Sequence, residues 1–302
     1  MAAPHSPIGA RRRLGAELRR LRNNSGLTLD DVAEKMTCST SKISRLETGK
    51  GIPKIPDVNE LIRIYGVTSD TERDMLLRLV RDGREHGWWE SLTEGVTPER
   101  YMMDAPGRYA SLENDATAVS SFDLTVVPGL LQTERYMRTV ITALFSHQTE
   151  EAVDQLVRMR MTRQEALFRD DPKPLQFTSV MDEAVLSRPI GGADVMAEQL
   201  ERVLELAERP NISIRVLPFG AGFLRAHAGH FVLLGIPADL GNDVVYIEGH
   251  SGEAFLDSRD DVKLYREVFA DALNRTRSGA ASQEVIRHYL TALRKNPTGH
   301  GA

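Results

Sequence analysis

The chain has 302 residues, more than one small domain uses, so at least two domains, one with a sizeable core, are expected. With 41% hydrophobic and 27% charged residues it reads as a folded globular protein. A single cysteine, Cys38, excludes an internal disulfide, and no apolar run nears the roughly 20 residues of a membrane-spanning helix. The formal charge of −5 is unevenly spread: residues 1–55 carry 11 basic and 5 acidic side chains, net +6, and the remainder 27 and 38, net −11. A basic head gains from counterion release at phosphates while an acidic body is repelled from a duplex.

Residues 1–9 read as a mobile tail. Arg11 to Asn24 is amphipathic, with Leu14, Leu18 and Leu21 on its inner face. Because Arg11-Arg12-Arg13 leads into that helix and not into an apolar segment, no signal peptide is expected and a reducing cytoplasm fits. Gly26 to Gly51 then holds a helix, a short turn and a second helix. Thr28 followed by Asp31 is a carboxylate version of the capping box, and Leu29, Val32, Ala33 and Met36 share one face. Only a side chain as small as Ala33 lets another helix cross there closely. After Thr37-Cys38, Ser39 or Thr40 can cap a helix that buries Ile43, Leu46 and the stem of Glu47. Its opposite face, Ser41, Ser44, Arg45 and Thr48 with Lys42 at the edge, has nothing apolar to bury. This is the layout of a helix-turn-helix, whose second helix enters the major groove of DNA.

The stretch resembles the XRE (xenobiotic response element) family of bacterial repressors through Ala33, Ile43 and Leu46 and the run Ile43-Ser44-Arg45-Leu46-Glu47-Thr48-Gly49. The resemblance implies an all-α, five-helix, lambda-repressor-like domain in which Arg22 pairs with Glu47 to support the recognition helix close to a phosphate. Ser39, Ser41, Lys42, Ser44, Arg45 and Thr48 are the expected base or phosphate contacts, and Thr28 and Thr40 are expected to position the backbone at helix N-termini. Leu29 stands where the family often has Gln, and Thr37 where it often has Gly. A β-branched residue at φ > 0 is costly, so a turn that differs in detail is expected. Pro53 and Pro56 break the chain, Asp57 can cap a fourth helix through Tyr65, and Thr71-Glu72 opens a fifth. The DNA-binding domain is thus expected over residues 10–84.

Residues 85–302 change pattern. Strands are expected at Ala118–Val127, Leu175–Met181, Ile212–Pro218, Phe231–Ile236 and Val244–Ile247. Helices are expected at Leu130–Phe145, Glu150–Arg169, Val195–Glu208, Asp260–Asn274 and Ser282–Arg294. That is an α+β domain with a mixed or antiparallel sheet. Here the sequence is similar to an actinobacterial group of XRE regulators that includes the WhiJ-like developmental regulators. The similarity is carried by Gly87-Trp88-Trp89, the run from Val127 to Tyr136 (VPGLLQTERY), Arg163-Gln164, Asp182-Glu183-Ala184 and Arg188-Pro189-Ile190-Gly191-Gly192. The resemblance implies an antitoxin-like regulator encoded beside a short partner protein.

Few residues outside the helix-turn-helix suggest chemistry. Trp88 and Trp89 could anchor a partner or pack the linker onto the second domain. Arg158, Arg160 and Arg163 could bind an anion or a partner carboxylate, or serve as helix-surface pairs, Asp154 lying four residues before Arg158. Phe223 follows a glycine-punctuated turn at Gly220 and Gly222 and could anchor a lid or groove. His227, His230 and His250 with Glu248 lack the spacing of a metal set, so no metal is expected. No nucleophile elbow, phosphate loop or dinucleotide fingerprint appears, so neither a cofactor nor an enzyme is expected. The expected function is a cytoplasmic, homodimeric, sequence-specific transcriptional regulator, a repressor on an inverted-repeat operator in double-stranded DNA. Its second domain would receive a partner-protein or small-ligand signal. The alternative is an antitoxin-like interaction protein that sequesters a small partner and autoregulates its own promoter.

Overall fold

A computed structural model of the chain describes residues 7–87, 89–90, 106–170, 173–238, 241–249 and 252–295. Five helices come first: α1 (Pro7–Asn24), α2 (Leu29–Lys35), α3 (Thr40–Glu47), α4 (Ile55–Ile64) and α5 (Asp70–Asp82). Their apolar stripes close a core of their own around Leu14, Leu18, Val32, Ile43, Val58 and Leu76, each nearly inaccessible to solvent. Thr28 caps α2 with the full capping box, Ser39 caps α3 by accepting from the Lys42 N–H, and Ser69 caps α5.

Three boundaries differ from expectation. The supposed tail is already helical at Pro7, because Pro7 and Gly9 are buried and Gly9 lies against the Asp115 carboxylate of the next domain. Asp57 does not cap α4. The fixed φ of Pro56 suits the first helical turn, so the helix starts one residue before it, at Ile55, and Lys54 takes the N-cap position without a side-chain hydrogen bond. Likewise α5 begins at Asp70, ahead of the expected Thr71.

The second domain is α+β. It opens with α6 (Pro106–Asp115), which sequence reading missed, and holds one six-stranded mixed sheet. The strands are β1 (Ala118–Asp123), β2 (Gln176–Asp182), β3 (Ile212–Leu217), β4 (Phe231–Gly235), β5 (Val244–Gly249) and β6 (Gly252–Leu256), in the order β3-β2-β1-β4-β5-β6. β1, β2 and β3 run parallel, in registers Val119↔Phe177 and Thr178↔Ser213, while β4, β5 and β6 are antiparallel additions. Parallel neighbours need crossovers. α7 (Glu134–Leu144) and α8 (Glu150–Gln164) cross from β1 to β2, and α9 (Glu183–Ser187) and α10 (Ala193–Leu206) from β2 to β3. α11 (Arg259–Asn274) and α12 (Gly279–Lys295) close the chain. The period-2 alternation buries both sheet faces: Val119 and Phe177 pack with α10 and α12, and Phe122, Val180 and Phe231 with Phe269 of α11.

β1 stops at Asp123, four residues short of expectation. The apolar alternation continues to Val127, but the Val127 carbonyl accepts from the Gln132 side chain at 2.6 Å and its N–H donates to the Tyr136 hydroxyl at 3.1 Å. The helix expected from Leu130 therefore begins only at Glu134, behind its Thr133 cap. α1 connects the halves: Arg12 donates to the Asn242 carbonyl at 2.6 Å. Among the described residues no helix is long and apolar enough to cross a membrane.

Candidate nucleic-acid interface

α3 is held from behind and left open in front. On its inner side Ile43 is fully buried and Leu46 nearly so, packed with Ala33 of α2. Gly15 of α1 is a contact the sequence did not announce, since a Cβ there would stand 2.6 Å from the Leu46 and Glu47 carbonyl oxygens. α1 can press against the end of α3 only without a side chain at that point. Arg22 forks onto Glu47 at 2.7 and 3.0 Å and donates also to the Leu27 carbonyl, so one guanidinium ties α1, α3 and the lead-in to α2. The hydrogen bonds with Glu47 outweigh partial burial and raise the Arg22 pKa. Tyr65 lies close by, and burial followed by the charge of Glu47 raises its pKa.

In front, Ser41, Lys42, Arg45 and Thr48 are exposed and Ser44 is half-buried. The Arg45 side chain has no ion pair or hydrogen bond among the described residues, so its five donors are available to a base edge or a phosphate. Lys42 pairs with Asp57 at 2.9 Å, a surface contact that a phosphate can displace at little cost. Other expected contacts are partly committed within the chain. The Thr40 hydroxyl donates to Asp30 at 2.7 Å, and that of Thr48 donates to the Ser44 carbonyl at 2.8 Å. The Thr28 hydroxyl is engaged in the capping box. Asp30 and Asp31 stand in the same first turn of α2, which makes that helix end a poor place for a phosphate. The turn keeps its left-handed residue in spite of the substitution: Thr37 sits at φ +50°. Cys38 packs half-buried against the same core.

The remaining candidates are scattered. Trp88 lies outside the described residues. Trp89 is only 7% exposed and packs with Met137, Ile141 and Phe145, which makes it core and not a partner anchor. Arg158 is exposed, and Asp154 does not serve it, because Asp154 accepts from Arg138 at 2.5 Å. Arg163 is held by Glu113 of α6 at 2.6 and 3.0 Å, with Tyr109 stacked against its guanidinium. Arg160, one turn earlier, faces a cavity of about 160 Å³ between the sheet, α6 and α8. Phe223 is 84% exposed and stacks on His227. The histidines, from which no metal set was expected, take separate local partners. His227 accepts from the Leu224 N–H and reaches Asp182, His230 turns to the Phe122 carbonyl and Asp123, and His250 lies outside the described residues. Burial alone would lower the His230 pKa, but Asp123 and Glu248 overcome it and raise it. No group of three metal-ligating side chains occurs among the described residues.

Two family models match the sequence, one toward each end of the chain. A helix-turn-helix domain matches over residues 13–76, which encloses α2 and α3, and a domain of unknown function, DUF5753, matches over residues 106–288. No curated protein and no solved structure matches the chain. Because the second match spans more than half of the sequence, the chain belongs to the DUF5753 family, with a helix-turn-helix DNA-binding domain at its N-terminus.

Proposed function

We propose that the protein is a sequence-specific transcriptional regulator of the XRE type, a repressor that acts without catalysis in the cytoplasm. The observation that carries this reading is the open polar face of α3, with Arg45 unpaired beside the buried Arg22–Glu47 brace. The brace fixes the helix, and the Arg45 side chain on the open face has no partner among the described residues. One such helix reaches too few base pairs for a unique site, so the protein acts as a homodimer on an inverted repeat with half-sites about one helical turn apart. The net charge of +6 on residues 1–55 against −11 on the remainder supports an orientation with the first domain on the duplex and the second away from it. The second domain receives a signal, from a small partner protein or a ligand, that alters DNA affinity. The sequence likeness to the actinobacterial WhiJ-like group supports a regulator encoded beside a short partner protein.

The test is a map of the DNA that the protein occupies, made with and without the neighbouring small gene. Peaks that share an inverted repeat are expected. No sequence-specific peak in either strain would overturn the reading, whereas a single peak at its own promoter that depends on the neighbour would favour antitoxin-like autoregulation.

A further inference from the structure

The cavity of the second domain has a chemistry that DNA binding does not use. Its volume, about 160 Å³, is close to the ~150 Å³ of engineered cavities that take up benzene. α8 lines it with Leu156, Arg160 and Arg163, which at helical spacing fall on one face of that helix. An apolar side chain begins that wall and guanidinium groups end it. On the sheet side β1 offers Val119, Ser121 and Asp123, the same grading from apolar to polar.

Most of the charge around the cavity is already matched. Glu113 holds Arg163 in two hydrogen bonds, Asp123 receives the Ser121 hydroxyl at 2.6 Å and lies 3.4 Å from His230, and Glu253 accepts from the Tyr246 hydroxyl. Besides the exposed carboxylate of Glu248, two groups stand apart. Arg160 has no ion pair or hydrogen bond among the described residues, although burial and the like charge of Arg163 both work against its cation, and Glu248 helps it only from a distance. Gln132, 2% exposed, directs its Nε2 to the Val127 carbonyl and leaves its Oε1 without a donor. A buried amide oxygen without a donor and a partly buried guanidinium without an acceptor among the described residues are both costly, and both residues line this cavity.

We propose that the cavity binds a small organic monocarboxylate of about benzene's bulk that also carries an O–H or N–H donor. This rests on the reading of the second domain as a receiving module. The carboxylate takes the fork of Arg160, the donor reaches Gln132 Oε1, and the apolar body lies against Val140, Leu144 and Leu156. A phosphate is disfavoured, because one uncompensated arginine would have to hold a second negative charge among Glu113, Asp123, Glu248 and Glu253. A simple amine would face Arg160. The site also has a route outward, since α6 carries Tyr109 and Glu113 on the cavity and Asp115 against Gly9 of α1.

The experiment uses the full chain and a panel of hydroxy- and amino-substituted aromatic and aliphatic monocarboxylates headed by 4-hydroxybenzoate, with 4-hydroxybenzamide, benzylamine and inorganic phosphate as controls. Binding is read by calorimetry and ligand-observed NMR, and operator affinity is measured in the same samples. A carboxylate of the panel is expected to bind, and Arg160→Met to weaken it about ten-fold or more with α-helical content and operator affinity retained. Leu144→Trp, at a half-exposed position, is expected to block uptake from the apolar end even should Arg160→Met fold poorly. Undiminished binding to both variants, preference for phosphate or benzylamine, or no binding by any carboxylate at millimolar concentration would overturn the proposal. Carboxylate binding that leaves operator affinity unchanged would keep the site and overturn the receiving-module reading instead.

Discussion

Each half of the molecule is braced by a buried, two-pronged arginine–glutamate pair, and the two pairs serve opposite ends. Arg22 and Glu47, 11% and 5% exposed, join α1 to the end of α3 and close off everything behind the recognition helix. Arg163 and Glu113, 14% and 1% exposed, join α8 to α6 and border a hollow. The first pair stabilises a surface by leaving nothing open behind it. The second joins two helices beside a cavity where another arginine of the same helix has no mate among the described residues. A DNA-reading face needs a rigid back, while a receiving domain needs an interior that is not fully satisfied.

Removing one partner of each pair tests that contrast. Arg22→Ala leaves Glu47 charged and nearly inaccessible, and is expected to cost about 3–5 kcal/mol. In thermal unfolding the helix-turn-helix should then melt well before the second domain, with operator binding lost. Glu113→Gln keeps the shape and part of the hydrogen bonding, so a smaller loss of about 2 kcal/mol is expected, confined to the second domain. If it instead weakened operator binding as strongly as Arg22→Ala, the two braces would not be separate devices, and the contact of α6 with α1 would be the reason. Arg45→Ala touches neither brace. Its melting temperature should stay within a degree or two of the parent protein, while affinity for the operator falls by about 1–3 kcal/mol. Loss of discrimination between operator variants marks Arg45 as a base contact, and equal weakening on all DNA marks it as a phosphate contact.

The two sites were unequally legible in the sequence for a physical reason. Everything that makes the recognition face lies within Gly26–Gly51 except Arg22 and Gly15, so helical periodicity and one cap place it. Gly15 escaped because its importance is the absence of a Cβ at 2.6 Å from another helix's carbonyls, which no local pattern encodes. The cavity, by contrast, is assembled from α6, β1, the segment after it, α7, α8 and four further strands, with Tyr109 and Glu253 at its sequence extremes. Arg160 and Arg163 looked alike in the sequence, and only Glu113, on an unforeseen helix, separates a structural arginine from an unmatched one. The stretch VPGLLQTERY drew attention through family likeness alone. Its physical content is a loop tied by Gln132 to Val127, by Tyr136 to the same residue, and by Gln164 and Gln199 to the carbonyls of Gly129, Leu131 and Gln132. β6 and α9 were missed because one is a five-residue edge strand with no fully buried position and the other a five-residue helix.

The smallest effect concerns the turn between α2 and α3, where sequence habit and geometry conflict most directly. Thr37 occupies φ +50°, a conformation that sets its Cβ against the following carbonyl, and β-branching adds to the strain. The backbone is nonetheless pinned on both sides. The Thr37 N–H donates to the Glu34 carbonyl at 3.0 Å and the Cys38 N–H to that of Ala33 at 2.9 Å, and the same residue must deliver Ser39 to the N-cap of α3. Thr37→Gly relieves about 1–2 kcal/mol of strain and gives back about 0.5–1 kcal/mol as unfolded-chain entropy. A net gain of about 0.5–1 kcal/mol is expected in the urea midpoint at unchanged slope, with operator affinity unaltered. Thr37→Asn, which tolerates the left-handed region without the entropy loss, should fall between the two. If glycine weakens DNA binding while stabilising the fold, then the stiffness of Thr37, and not merely its angle, sets the approach of α3 to the groove.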